Sequence, residues 1–163
     1  SREAAELQET SGDEITRLSF NSVSSIWTLP QLLWLSRHEP ESLARTSKIM
    51  AVKDYVRYRL TGDFVTDDIE AMGFMLLDAN TNTWSERLCA MCGITSDILP
   101  AIVRPYERLS SIRKDAQRET GLSAKTIVIT GTTDTVMEVY AAGANSLGEA
   151  TEACDCRAHL RNY

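Results

Sequence analysis

The run IVITGTTDTVMEVYAAGA, residues 127–144, holds the residue best suited to chemistry in this chain. A β-branched apolar stretch breaks at Gly131 into Thr132 and Thr133, then delivers a single carboxylate, Asp134, to the start of a helical pattern. Turns at the carboxyl ends of sheet strands are where α/β proteins bind ligands. A glycine there lets a ligand approach the backbone, and the free amides of a helix start favour an anion. A carboxylate so placed is suited to accepting a proton. The plainer role is an N-cap for a helix over residues 135–142, worth about 1 kcal/mol. Residue types alone favour the cap, and the two roles are compatible.

Four cysteines fall in two pairs, Cys89 with Cys92 and Cys154 with Cys156, and His159 follows the second pair. The spacings C-x-x-C and C-x-C-x-x-H resemble those of zinc ligands. The pairs are distant in sequence, however, and ERLCAMCGI reads as an amphipathic helix ending at Gly93 rather than as a zinc knuckle. Cys89 and Cys92 are therefore expected as small buried hydrophobes, and no metal site is assigned. A redox C-x-x-C would open a helix, where the dipole lowers the thiol pKa, whereas this pair closes one. Asp67, Asp68 and Glu70 lack the spacing and central glycine of a calcium loop and are expected in a solvated turn. Tyr55, Arg57, Tyr58 and Arg59 interleave aromatic and basic residues as single-strand nucleic-acid binders do. Helical spacing divides them between core and surface, so helix packing is the better account. Trp34 and Trp84 are expected to anchor core or loops.

The elements that must position these residues are mostly short helices. Residues 1–8 favour helix, Thr10-Ser11-Gly12 interrupts it, and DEITRLSF forms a second segment capped by Asp13. LPQLLWLSRHEPES predicts a mostly buried helix with Pro30 in its first turn, and Pro40 forbids continuation beyond Glu39. PESLARTSKIM starts another short helix. AVKDYVRYRLTGDF places Val52, Tyr55, Val56, Tyr58 and Leu60 at helical spacing, closed by Thr61-Gly62. Beyond it come a polar turn, a strand-like piece from Phe74 to Leu77, and the loop DANTNT. SERLCAMCGI is a helix with Ser85 as N-cap, TSDILPAIV a short turn stopped by Pro100, and DAQRETGLS a helix ended by Gly121. KTIVIT, residues 125–130, is the clearest strand. One buried strand of this kind needs neighbours on both sides, so the pattern is that of a fragment of an α/β domain.

Composition narrows the function classes. At 163 residues and 43% hydrophobic content the chain suits one domain or a substantial piece of one. A net charge of −6 argues against holding nucleic acid or an anionic membrane by its overall field. No apolar run approaches the ~20 residues of a membrane span, and the polar N-terminus lacks a secretory apolar region. The expected compartment is the cytoplasm.

Three stretches together resemble the FGGY carbohydrate kinases, and within them the xylulokinase-like branch. LLWLSRHEPES is similar to the family's tryptophan-bearing, leucine-faced helix. KDYVRYRLTGDFVTDDIEAMGFMLLDANTNTWS resembles the family's most specific internal block, a K-D-Y-x-R-x-x-L-T-G core followed by T-D, a strand ending in Asp, and Trp-Ser. The run opening at residue 127 is similar to the family's G-x-x-D turn and the helix after it. Departures are Gln31, where the family's first signature carries lysine, and Thr135, where many members have asparagine after the aspartate. The loss of that amide removes a group able both to donate to and accept from a sugar hydroxyl.

The resemblance implies a partial, helix-rich α/β fold of the ribonuclease H-like, actin-like ATPase type with few strands. It covers residues 1–150 as the later part of a kinase N-terminal domain and leaves 151–163 as a divergent tail. It implies transfer of the γ-phosphoryl group of ATP, with magnesium, to a sugar or polyol hydroxyl. Asp134 would be the catalytic base and would touch the substrate together with Thr135. Gly131, Thr132 and Thr133 would lie near the phosphates. The chain lacks the family's opening phosphate hairpin and second actin-like domain, so these missing kinase regions are its expected partners and the isolated chain is expected to be inactive. The alternative is a non-catalytic truncated interaction module, for which a homodimer is the expectation.

Overall fold

A computed structural model describes residues 1–143. Helix α1 runs unbroken over Arg2–Ser19, with the Ser1 hydroxyl accepting the Ala4 amide at its start. The expected break at Thr10-Ser11-Gly12 and the cap at Asp13 are absent. Ala4, Leu7, Gly12, Ile15 and Ser19 form one continuous buried stripe at helical spacing, and Leu7 and Ile15 are almost fully enclosed. Each such side chain contributes about 1.5–3 kcal/mol, which exceeds the roughly 1 kcal/mol cost of a helical glycine. The Thr10 hydroxyl turns back to the Glu6 carbonyl instead of capping a new helix.

Helix α2 spans Thr28–His38 and buries Leu29, Pro30, Leu32 and Leu33 against α1. Trp34 points outward and stacks on His38 with ring centroids 4.7 Å apart. Pro40 ends α2 and begins the single-turn α3, Pro40–Ala44. The core continues through Phe74, Met75 and Leu76 to Leu88, Cys89 and Cys92. Phe74–Leu77, expected as strand-like, is fully buried, but only Leu77–Asp78 (β2) is strand. It pairs antiparallel with Thr83–Trp84 (β3), Leu77 opposite Trp84 and Asp78 opposite Thr83. The intervening loop is a tight hairpin, with the Asp78 carboxylate accepting the Asn80 amide at 2.9 Å. Trp84 donates to the Pro100 carbonyl at 2.7 Å, the loop-anchoring role expected of it.

Two short strands that the sequence pattern did not mark form a parallel pair. Val65–Asp67 (β1) lies beside Ala101–Val103 (β4) in the register Val65 to Ala101, Thr66 to Ile102 and Asp67 to Val103. Between them come α5 (Asp68–Gly73), the β2–β3 hairpin and α6 (Glu86–Met91). Ser85 caps α6 by accepting the Leu88 amide, as its position predicts. Helix α7, Lys114–Thr120, ends at Gly121, whose φ of 76° is the left-handed conformation that selects glycine.

KTIVIT does not form the buried strand that its composition predicts. Among the described residues it makes one antiparallel bridge, Ile129 with Arg108, and backbone hydrogen bonds to Glu107 and Leu109, and it accepts Arg57 at the Thr130 carbonyl. Thr130 is buried, whereas Ile127 and Ile129 are 61% and 52% exposed. A β-branched run reads as buried only when both faces are covered, and no described residue covers the outer face.

The chain divides into two compact units, residues 1–131 and 132–163. The second contains α8, Asp134–Ala141. Cys154, Cys156 and His159 lie outside the described residues.

Candidate functional site

Helix α4, Val52–Thr61, ends as expected at Gly62, whose φ is 87° and whose amide donates to the Tyr58 carbonyl at 2.7 Å. Its orientation is the reverse of what its apolar residues suggest. Val52, Tyr55 and Val56 are 83%, 48% and 56% exposed, whereas Asp54, Arg57 and Thr61 face inward. The i, i+3, i+7 spacing of those three residues makes a buried polar stripe.

The stripe is stable because its charges are paired. Arg57 Nη2 donates to Asp54 Oδ1 at 2.8 Å and to the Val65 carbonyl at 2.6 Å, and Nη1 donates to the Thr130 carbonyl. Lys53 Nζ reaches Asp54 Oδ1 at 2.8 Å, Asp67 Oδ2 at 2.7 Å and Glu70 Oε2 at 3.5 Å. Burial opposes the Lys53 charge, but its hydrogen bonds to Asp54 and Asp67 outweigh that and hold the ammonium above the usual lysine range. Burial also raises the Glu70 carboxyl above its ordinary value, and the Lys53 ammonium only partly opposes this. Asp54 Oδ2 and Arg57 Nε have no hydrogen-bond partner among the described residues.

Asp67 corrects the expectation of a solvated acidic turn. It is fully buried at the end of β1, and its Oδ1 caps α5 by accepting the Ile69 and Glu70 amides at 3.2 and 3.1 Å. Sequence reasoning missed it because the decisive partner, Lys53, lies on another element. The T-D pair at the end of the K-D-Y block was the available signal. No group of three His, Cys, Asp or Glu among the described residues could hold a metal ion. At the acidic cluster Lys53 already supplies the positive charge.

Cys89 and Cys92 are buried free thiols, with burial pushing them up to about 11 and about 12. Both pack within the apolar core, as expected of small buried hydrophobes.

The turn bearing Asp134 has a different character. Thr130 is the last buried residue before it, and Gly131 has a φ of 71° with open space where a side chain would project. The Gly131 amide donates to the Pro105 carbonyl at 2.7 Å. Thr133, not Asp134, is the N-cap of α8, and Asp134 is the first helical residue. Capping is nonetheless part of its chemistry, because Asp134 Oδ1 accepts the Thr135 amide at 2.7 Å and faces the Thr135 hydroxyl at 3.4 Å. Both residues are exposed. Gly131 and Thr132 fall on opposite sides of the boundary between the two units, while Thr132, Thr133, Asp134 and Thr135 lie together in the second.

Comparison with known proteins now decides the family. Residues 1–141 match the N-terminal domain of the FGGY family of carbohydrate kinases. The chain belongs to this family. The xylulose kinase of Bacillus subtilis (strain 168) is 35% identical over 143 residues, which are 88% of this chain and 29% of that protein. In the solved structures, the xylulose kinase from Rhodospirillum rubrum superposes with a TM-score of 0.84 at 26% identity, over 90% of this chain and 30% of that one. The gluconate kinase from Lactobacillus acidophilus gives 0.81 at 25% identity, over 86% and 29%. This FGGY chain therefore spans under a third of the length of these relatives, and its fold is part of the actin-like α/β architecture of sugar kinases.

Proposed function

We propose that this FGGY chain is the later part of the N-terminal domain of a cytoplasmic kinase that phosphorylates a xylulose-like sugar with ATP, the kinase portion covering residues 1–150. Support comes from the family match together with an exposed carboxylate at a glycine-entered helix start. Asp134 is the base. A hydroxyl attacking the γ-phosphorus loses its proton as the new O–P bond forms and the bond to the leaving diphosphate breaks, and an exposed carboxylate oxygen accepts that proton. A modest base suffices, because positioning and charge neutralisation supply most of the rate in phosphoryl transfer. Thr135 offers its hydroxyl beside the carboxylate, toward the sugar.

Gly131 admits the phosphates by its missing side chain, since its amide is already committed to Pro105. Thr132 and Thr133 follow it along the approach to the helix start. Magnesium, when bound, would neutralise charge on the phosphates. The described residues offer no cage for it, and none of the steps assigned to this chain passes through the ion.

The isolated chain should not turn over ATP, since closure around the substrate excludes water and requires a second wall. The test exchanges the 143 matched residues of the Bacillus subtilis xylulose kinase for those of this chain. Xylulose-dependent ATP consumption by the chimera, absent from either part alone, is the expected result. A soluble, folded chimera without that activity overturns the proposal.

A further inference from the structure

One buried guanidinium reaches three separate stretches of chain. Arg57, 5% exposed, donates to Asp54 on its own helix, to the carbonyl of Val65 in β1, and to the carbonyl of Thr130 just before the turn. We infer that Arg57 is a positioning residue for the Thr130–Gly131 peptide, fixing the plane of the last peptide before the segment that carries Asp134.

The Thr130 carbonyl and the Gly131 amide belong to a single peptide unit. Arg57 holds its oxygen, and the Pro105 carbonyl holds its N–H at 2.7 Å. Donation onto the oxygen polarises the N–H and strengthens the second bond, so the two contacts reinforce each other. Little else fixes this point. Among the described residues, its chain neighbours aside, nothing lies within 4 Å of the position a Gly131 side chain would take, and Ile127 and Ile129 on the approach are exposed. The Thr130 amide and hydroxyl both donate to the Glu107 carbonyl, at 3.0 and 3.3 Å, which fixes the residue but not the orientation of its own carbonyl.

Arginine is required by geometry and not by charge alone. Its planar fork meets a carboxylate and two carbonyls at once, whereas a lysine ammonium is a point donor on a flexible stem. Lysine at this position keeps a positive charge near Asp54 and gives up the bridge between Val65 and Thr130. Asp54 orients the fork, so Asp54→Asn should loosen the same contact to a lesser degree.

The consequence for turnover rests on reading Asp134 as the base of a sugar kinase; the positioning itself does not. The 163-residue chain is labelled with nitrogen-15 and compared with Arg57→Lys. The expected result is a shifted Gly131 amide resonance and amide exchange at Gly131 faster by about tenfold or more, with exchange in α1, α2 and α6 unchanged within about twofold. Asp54→Asn should move Gly131 in the same direction by less. In the chimeric kinase, Arg57→Lys should lower kcat about tenfold and leave the KM for xylulose unchanged, the pattern of a misdirected base. Unchanged Gly131 exchange overturns the inference, as does a change spread equally over α1 and α2, or an active chimera whose kcat is insensitive to Arg57→Lys. A wild-type chimera without turnover instead counts against the kinase reading, and the exchange comparison then decides the positioning alone.

Discussion

Two carboxylate-bearing regions of this FGGY chain are built in opposite ways. Asp54 and Asp67 sit in the interior, each bonded to Lys53, with Asp54 also held by Arg57. Asp134 stands exposed at the first position of α8, its carboxylate bonded to its neighbour Thr135. A carboxylate whose partners are fixed cations is committed to the fold and has little freedom to take a proton from a ligand. An exposed one at a helix start can meet a substrate. The difference teaches that burial and pairing mark Asp54 and Asp67 as scaffold and, under the proposed function, leave Asp134 open for chemistry, although acidic residues alone look alike.

That contrast breaks most visibly at Asp54. Asp54→Ala leaves Arg57 and Lys53 facing each other without their shared partner, and removing one member of a buried ion pair costs about 3–5 kcal/mol. Urea unfolding of the 163-residue chain should show a loss of that size. A loss below about 1 kcal/mol would mean that the cluster is far more solvated than its burial indicates.

Glu70 sharpens the comparison through pH. Its carboxyl is raised in the folded chain above the ordinary value of 4.5, chiefly by burial. The folded state therefore holds its proton to higher pH than the unfolded state, and stability falls as pH rises through 4.5 to the raised value. Glu70→Gln should raise the urea midpoint at neutral pH and leave it nearly unchanged below 4.5. Lys53 has the complementary sign. Its raised value means that its contribution is complete below the ordinary 10.5 and is lost only as pH rises through its folded value. Equal midpoints for Glu70→Gln and wild type across both ranges would contradict the assignment.

The smallest effect belongs to the outer face of α4. Val56→Ser should change the stability of the isolated chain by no more than about 0.5 kcal/mol, because Val56 is 56% exposed. A larger loss, read from the same unfolding curves, would place Val56 in a buried contact.

Elements closed by local chemistry were legible in the sequence. The Ser85 cap, the glycine ends of α4 and α7 and the stop at Pro40 each depend on groups within a turn of one another. The Asp134 turn and the helix after it were legible as well, with the cap displaced by one residue to Thr133. What escaped depends on distant partners. The inward face of α4 is set by Val65 and Thr130, and an apolar pattern read along one helix predicts the opposite face. Strands β1 and β4 are three residues each, and their parallel pairing spans intervening helices and a hairpin, so neither shows a period long enough to read. KTIVIT misled for the converse reason, since its composition reports the cover a strand requires and not the cover these residues provide.

The central claim is that fold and chemistry reside in different carboxylates, and Asp134→Asn in the chimeric xylulose kinase tests it most directly. The substitution keeps size and helix-start position while removing the base, and general base catalysis is worth about 10²–10⁴ in rate. The predicted result is a fall of that size in kcat for xylulose, with the unfolding midpoint of the chain unchanged. Turnover within about tenfold of the parent chimera, or a matching loss of stability, would contradict it.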